Sequence, residues 1–147
     1  MSKAIPGRRA DYRYETVLTT RWDDNDLYGH MNNAVHYRLF DTAVNAYLIS
    51  HCDFVPSKSN MIGLVAESGC RYHSELQFPA PIIAALRVGR LGTSSVRYEV
   101  GLFSDGSNFA AAEGFFIHVF VDRTDRRPRP LSDELRQGLV ARSEEHT

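Results

Sequence analysis

The sequence predicts an α+β fold in which one long central helix is wrapped by a curved antiparallel sheet of about five strands. Three observations predict it. Only one long stretch before residue 130 carries apolar residues at a helical period. Four strand-like segments follow it in succession, and short turn signals separate them. With 147 residues the chain fits one domain, expected over 1–147 with its core at about 12–130. A content of 43% hydrophobic residues is enough to build a core for that domain.

The elements follow in order. Residues 12–22 are rich in β-branched and aromatic side chains and read as a strand. A polar segment comes next, with Gly29 as its pivot, and Asn32 or Asn33 suits a helix N-cap. From 34 to about 49, apolar residues recur at 35, 39, 40, 43, 44, 47 and 48, a wide helical face. Strands are expected over 61–76, 82–91, 95–103 and 108–121. Phe78-Pro79-Ala80-Pro81, Gly92-Thr93 and Ser104-Asp105-Gly106-Ser107 mark the turns between them. Short turns between consecutive strands argue for a meander. A short C-terminal helix is expected from Ser132, its N-cap, to about 142. Such a sheet exposes edge strands in a monomer, so a homodimer or homotetramer is expected.

Composition excludes several classes. A net charge of −1 gives no electrostatic support to a nucleic-acid or membrane role. No apolar run approaches the ~20 residues of a membrane span, and the first nine residues lack the apolar region of a secretory signal. Cys52 and Cys70 fit neither a zinc spacing nor a disulfide framework, so a reduced, cytoplasmic setting is the expectation. His30, His36, His51, His73, His118 and His146 are scattered, and no metal is expected. No Gly-x-Ser-x-Gly elbow is present.

The chemistry concentrates at 20–37. Asp23, Asp24, Asn25, Asp26, His30, Asn32 and Asn33 stand immediately before the helix. Unpaired N–H groups and the dipole at a helix start favour developing negative charge. A carboxylate aimed at that spot suits acyl transfer, with the helix start polarising a carbonyl.

The pattern Arg21-Trp22-x-Asp24-x-Asp26-x-x-Gly29-His30-x-Asn32-Asn33-x-x-x-Tyr37 resembles the hotdog-fold acyl-CoA thioesterases of the 4-hydroxybenzoyl-CoA thioesterase type. It is also similar to the Arg-Trp-x-Asp-x-Asp-x-Asn-x-His-x-Asn-Asn stretch of the acyl-ACP thioesterases. The resemblance covers about residues 12–130 and implies hydrolysis of an acyl-CoA to free acid and CoA, with no cofactor beyond the CoA of the substrate. It implies Asp26 as the essential carboxylate, acting as nucleophile or as general base for a water. The Asn33 N–H or a neighbouring one is the candidate oxyanion donor, with His30 in the catalytic network or, equally, bonded to the loop backbone. Tyr28 stands where the acyl-ACP enzymes carry a catalytic asparagine, and is read as lining an acyl pocket.

Other candidates are weaker. Asp24 is read as a turn cap accepting backbone N–H groups, Asp23 as solvated, and Asn32 as a turn or cap residue near the substrate. Glu67, in an otherwise apolar strand, either faces the site or sits at a strand edge. Arg90, Gly92, Ser94 and Ser95 resemble the turn that contacts the CoA nucleotide, and Arg87 and Arg97 flank it. Trp22, Tyr37, Phe40 and Tyr47 are read as core or acyl-pocket lining. Two alternatives remain: a hotdog enoyl-CoA hydratase or dehydratase, whose Asp-x-Asn-Pro-x-His segment is absent here, and a non-catalytic acyl-CoA-binding module. The acyl group, CoA against carrier protein, and dimer against tetramer are left open.

Overall fold

The computed structural model of the protein describes residues 4–142. His146 and residues 1–3, which open the stretch read for a leader, lie outside them.

Seven elements follow in chain order: β1 (Tyr14–Leu18), α1 (Val35–His51), β2 (Met61–Tyr72), β3 (Ile82–Leu91), β4 (Ser95–Ser104), β5 (Ala112–Asp122) and α2 (Asp133–Val140). The five strands form one antiparallel sheet in the order β1-β3-β4-β5-β2. The expected α+β class is the one observed.

Alternation along the strands sets the two faces of the sheet. Val96, Tyr98, Val100 and Leu102 of β4 are buried on the helix side, whereas Arg97 and Glu99 lie on the other. The helix answers with Leu39, Phe40, Ala43, Val44, Tyr47 and Leu48, each almost completely buried. A fully buried large apolar side chain stabilises by roughly 1.5–3 kcal/mol, so this stripe holds helix and sheet together. The helix ends where Asp53 takes a left-handed backbone (φ 51°), and the Cys52 and Phe54 amides both return to the Leu48 carbonyl. Ser132 caps α2 as expected, its hydroxyl accepting from the Leu135 amide at 3.3 Å.

The meander expectation is corrected. β3, β4 and β5 follow one another, but β2 pairs with β5 and stands at the opposite edge from β3's neighbour β1. An eleven-pair ladder to β5, interrupted by a bulge between Val65 and Glu67, holds β2 there. Residues 73–81 are therefore a crossover connection, not a hairpin turn. Local turn signals report that the chain bends and say nothing of which strand it rejoins.

Three strand boundaries also move. β1 stops at Leu18, and Trp22–Asp24 form a 3-10 turn. β2 stops at Tyr72, because the His73 and Ser74 amides both turn to the Ala111 carbonyl. β5 begins only at Ala112, because Ala110 donates to the Gly7 carbonyl and Asn108 accepts from the Arg9 amide. Among the described residues no helix is long and apolar enough to cross a membrane.

Candidate active site

The loop before α1 is built around Asp24, which has no solvent exposure. Its Oδ2 accepts the Arg21 amide at 2.7 Å, and its Oδ1 accepts Arg38 Nη2 at 2.6 Å and Arg21 Nε at 3.3 Å. Burial pushes this carboxyl upward, but the Arg21 amide and the Arg38 guanidinium outweigh it and hold it below its ordinary value. The Asp24 carbonyl also accepts the Asn32 amide at 2.8 Å, which closes the loop on itself. Asp24 is thus the turn cap the sequence suggested, and Asp23 is exposed.

Within that frame Asp26 heads a tight turn. Its amide donates to the His30 carbonyl at 2.8 Å, and its carbonyl accepts from Gly29 at 3.1 Å. Gly29 has φ 82°, a conformation that favours glycine. Asp26 Oδ1 accepts the amides of Tyr28 (2.8 Å) and His30 (3.4 Å), while Oδ2 receives no hydrogen bond from the described residues. The carboxylate is therefore aimed by the backbone, with one oxygen left for chemistry.

The helix start differs from the expected cap. α1 begins at Val35 with Ala34 in the cap position, and no side chain caps it. Asn32 serves the preceding turn: its Oδ1 accepts the Ala34 amide at 2.9 Å and its carbonyl accepts the Val35 amide at 2.9 Å. The Asn33 amide has no acceptor among the described residues, so it is a free donor at this end of the helix. The Asn33 carbonyl accepts the Tyr72 hydroxyl at 2.7 Å.

His30 finds its partner outside the motif. Its Nε2 stands 3.1 Å from Glu75 Oε2, and its Nδ1 is enclosed without a hydrogen bond. A carboxylate on Nε2 favours the hydrogen there and leaves Nδ1 as the basic nitrogen. Asp26, His30, Asn33, His36, Tyr72 and Glu75 line one cleft of about 520 Å³. A second cleft of about 350 Å³, walled by Pro81, Ile82 and Ser104, shares His30, Glu75 and Leu76 with the first. The His30–Glu75 pair thus stands where two clefts meet.

The structure brings Asp26, His30, Asn33 and Tyr28 to this cleft, although Tyr28 is 84% exposed and forms rim rather than pocket lining. Asn32 stays in the supporting turn. Of the two readings of Glu67, the structure shows the strand-edge one: it is exposed beside the bulge of edge strand β2 and lines neither cleft that holds His30, and Glu75 stands beside His30 instead. Arg90, Gly92, Ser94 and Ser95 are not brought to the cleft of the same chain. They lie at the Leu91 end of β3, a strand of ten residues or about 30 Å from Ile82, which walls the second cleft. The turn is instead fastened to α2, with the Gly92 and Thr93 carbonyls accepting Arg136 Nη2 at 2.8 and 3.2 Å. Arg87 and Arg97 share Glu99 at 2.8 and 3.1 Å on the outer face. Tyr37, Phe40 and Tyr47 pack in the core, but Trp22 is 79% exposed and packs T-shaped on Phe78, at 6.0 Å between centroids.

Sequence reasoning missed Arg38, His36, Tyr72 and Glu75. Arg38 and His36 follow the motif directly on the helix. Glu75 had no signal, because its approach depends on the crossover. Among the described residues no three histidine, cysteine, aspartate or glutamate side chains gather in a way that could hold a metal ion. Burial pushes both cysteine thiols up to about 11, which makes them poor nucleophiles.

A single long helix wrapped by a five-stranded antiparallel sheet, with a carboxylate loop at the helix start, is the hotdog fold. The model of the thioesterase-like superfamily matches residues 20–139, and the chain belongs to that superfamily. Among solved structures, the PA5185 protein of Pseudomonas aeruginosa PAO1 is 44% identical, covering 97% of this chain and 99% of its own, with a TM-score of 0.93. The PA2801 protein of Pseudomonas aeruginosa is 27% identical over 86% of this chain and 97% of its own, with a TM-score of 0.80. Slr0204 of Synechocystis, a 1,4-dihydroxy-2-naphthoyl-CoA thioesterase, shares the fold at 12% identity over 86% of this chain and 94% of its own, with a TM-score of 0.77. No curated protein sequence matches the chain.

Proposed function

We propose that the protein is an acyl-CoA thioesterase that hydrolyses its substrate to a carboxylic acid and CoA. The observation that carries this reading is a single cleft lined by both Asp26, whose Oδ2 accepts no hydrogen bond from the described residues, and Asn33, whose helix-start amide has no acceptor among them. Thioester hydrolysis requires both: an attacking group at the carbonyl carbon and a donor at the oxygen where negative charge develops. Membership of a thioesterase-like superfamily supports the same reading.

Two routes use these groups. In one, Asp26 Oδ2 attacks the carbonyl carbon, the tetrahedral oxyanion rests on the Asn33 amide, and the thiolate leaves. The mixed anhydride formed is then hydrolysed by water. In the other, Asp26 takes a proton from a water that attacks the same carbon. In both, the departing thiolate takes up a proton relayed through the His30–Glu75 pair at the edge of the cleft. Single turnover in ¹⁸O-labelled water tests the first route, because label in Asp26 arises only when water opens a mixed anhydride at the aspartyl carbon. CoA is consumed as part of the substrate and no further cofactor takes part.

The test is thiol release from a panel of acyl-CoA esters, with Asp26→Asn as the control. Turnover by the wild type and a loss of about 10²–10³-fold in the variant are expected. Undiminished turnover in Asp26→Asn removes Asp26 from the mechanism.

The assembly belongs to the same proposal. β2 is an edge strand whose Leu64 and Val65 are 42% and 48% exposed, an edge of the kind that pairs with a second chain. The protein is proposed to act as a homo-oligomer, in the reduced cytoplasm where Cys52 and Cys70 remain free thiols.

A further inference from the structure

A second imidazole lines the cleft, and the chemistry above leaves it unused. His36, in the first turn of α1, is 3% exposed and shares the cleft with Asp26, His30 and Asn33. The edge of its ring meets Tyr72 at 4.8 Å and 85°, and Tyr72 is itself anchored through its hydroxyl on the Asn33 carbonyl. The ring therefore rests against a neighbour that is itself anchored.

Its two nitrogens have different surroundings. Nδ1 is enclosed and makes no well-aligned hydrogen bond. A helical side chain leans toward the preceding turn, and there the Asn32 and Asn33 carbonyls favour a hydrogen on the ring. Nε2 also has no hydrogen-bond partner among the described residues and is not among the enclosed nitrogens, and the ring that carries it lines the cleft. Burial lowers the pKa of the ring below its usual value, which leaves it neutral. A neutral imidazole with its hydrogen on Nδ1 presents a lone pair at Nε2. A buried acceptor without a partner is costly unless something fills it.

We propose that His36 is a specificity-determining residue whose Nε2 accepts a hydrogen bond from an O–H or N–H donor on the thioester substrate, close to the reacting carbon. The inference rests on the thioesterase reading and names the feature of the substrate that the site selects. Two parts of a thioester can supply the donor: a hydroxyl on the acyl group, or the amide N–H of the thiol arm nearest the sulfur.

Steady-state hydrolysis of 3-hydroxybutyryl-CoA, butyryl-CoA and S-ethyl thiobutyrate, the last carrying neither donor, tests this with the wild type, His36→Phe and His36→Gln. Circular dichroism and thermal melting confirm folding, and His36→Met takes the place of the phenylalanine variant if that one does not fold. A hydroxyl donor predicts that His36→Phe loses about ten-fold in kcat/KM on 3-hydroxybutyryl-CoA and little on the other two esters. An amide donor predicts that loss on both CoA esters and none on S-ethyl thiobutyrate. In either case His36→Gln, which keeps an acceptor, retains most of the wild-type preference. Equal losses on all three esters, or no loss on any, overturn the inference while the thioesterase reading stands. A wild type that hydrolyses no thioester overturns both.

Discussion

Arg38 Nη2 lies 2.6 Å from Oδ1 of Asp24, so the first full turn of the helix is tied to a carboxylate with no exposure inside the site loop. Both ends of the loop depend on this pair, since Asp24 also holds the amides of Arg21 and, through its carbonyl, Asn32. Arg38→Met leaves the acid half-served and is expected to destabilise the fold by about 2 kcal/mol, less than a wholly buried pair because Arg38 is partly exposed. Denaturant unfolding measures the cost. A midpoint equal to the wild type's would show that the pair does not secure the loop.

Glu75 acts through His30, and more than half of its side chain is exposed. Glu75→Gln is therefore expected to lower kcat by about 10–100-fold with almost no change in melting temperature. A variant with wild-type kcat would remove Glu75 from the proton path.

His118 is buried on the helix side of β5, its Nδ1 3.1 Å from the Tyr98 hydroxyl and its ring against Phe120. Burial lowers its pKa from 6.5 to about 4. The unfolded chain therefore binds a proton more readily below pH 6.5. Stability is fully present above that pH and falls as acid is added, by about 3 kcal/mol on reaching pH 4. Urea midpoints measured from pH 7.5 to 4 should drop for the wild type and flatten for His118→Gln. Equal slopes in the two proteins would place the acid sensitivity elsewhere.

The β2 edge carries the assembly prediction. Val65→Lys sets a charge where a second sheet edge would pair, and is expected to shift the sedimentation coefficient toward the monomer. A wild type already monomeric at micromolar concentration would refute the proposed homo-oligomer.

Much of this was legible in the amino acids. The 82–91 strand and the Ser132 cap match the structure because each depends on local alternation or local hydrogen bonding. The long helix shifts by a residue or two at each end, since its start is set by Asn32 holding two later amides. Asp26, His30 and Asn33 were legible as a group because one short loop carries all three. Glu75 was not, for its place beside His30 exists only once β2 has crossed to pair with β5. The distance of the Gly92–Ser95 turn from the cleft of its own chain was hidden for a related reason. Sequence pattern identifies a turn, while the length of β3 decides how far that turn lies from the loop.

The crossover at 73–81 has one further consequence. It supplies Glu75 and Leu76 to both clefts, and it is fastened to the site loop by the Met31 amide on the Leu76 carbonyl and the Phe78 amide on Asn25 Oδ1. It belongs to no ladder of the sheet, so insertions and deletions there leave the strand register intact. Divergent descendants of this chain could reshape what they accept by rewriting that one connection, with the frame that aims the acid inherited unaltered.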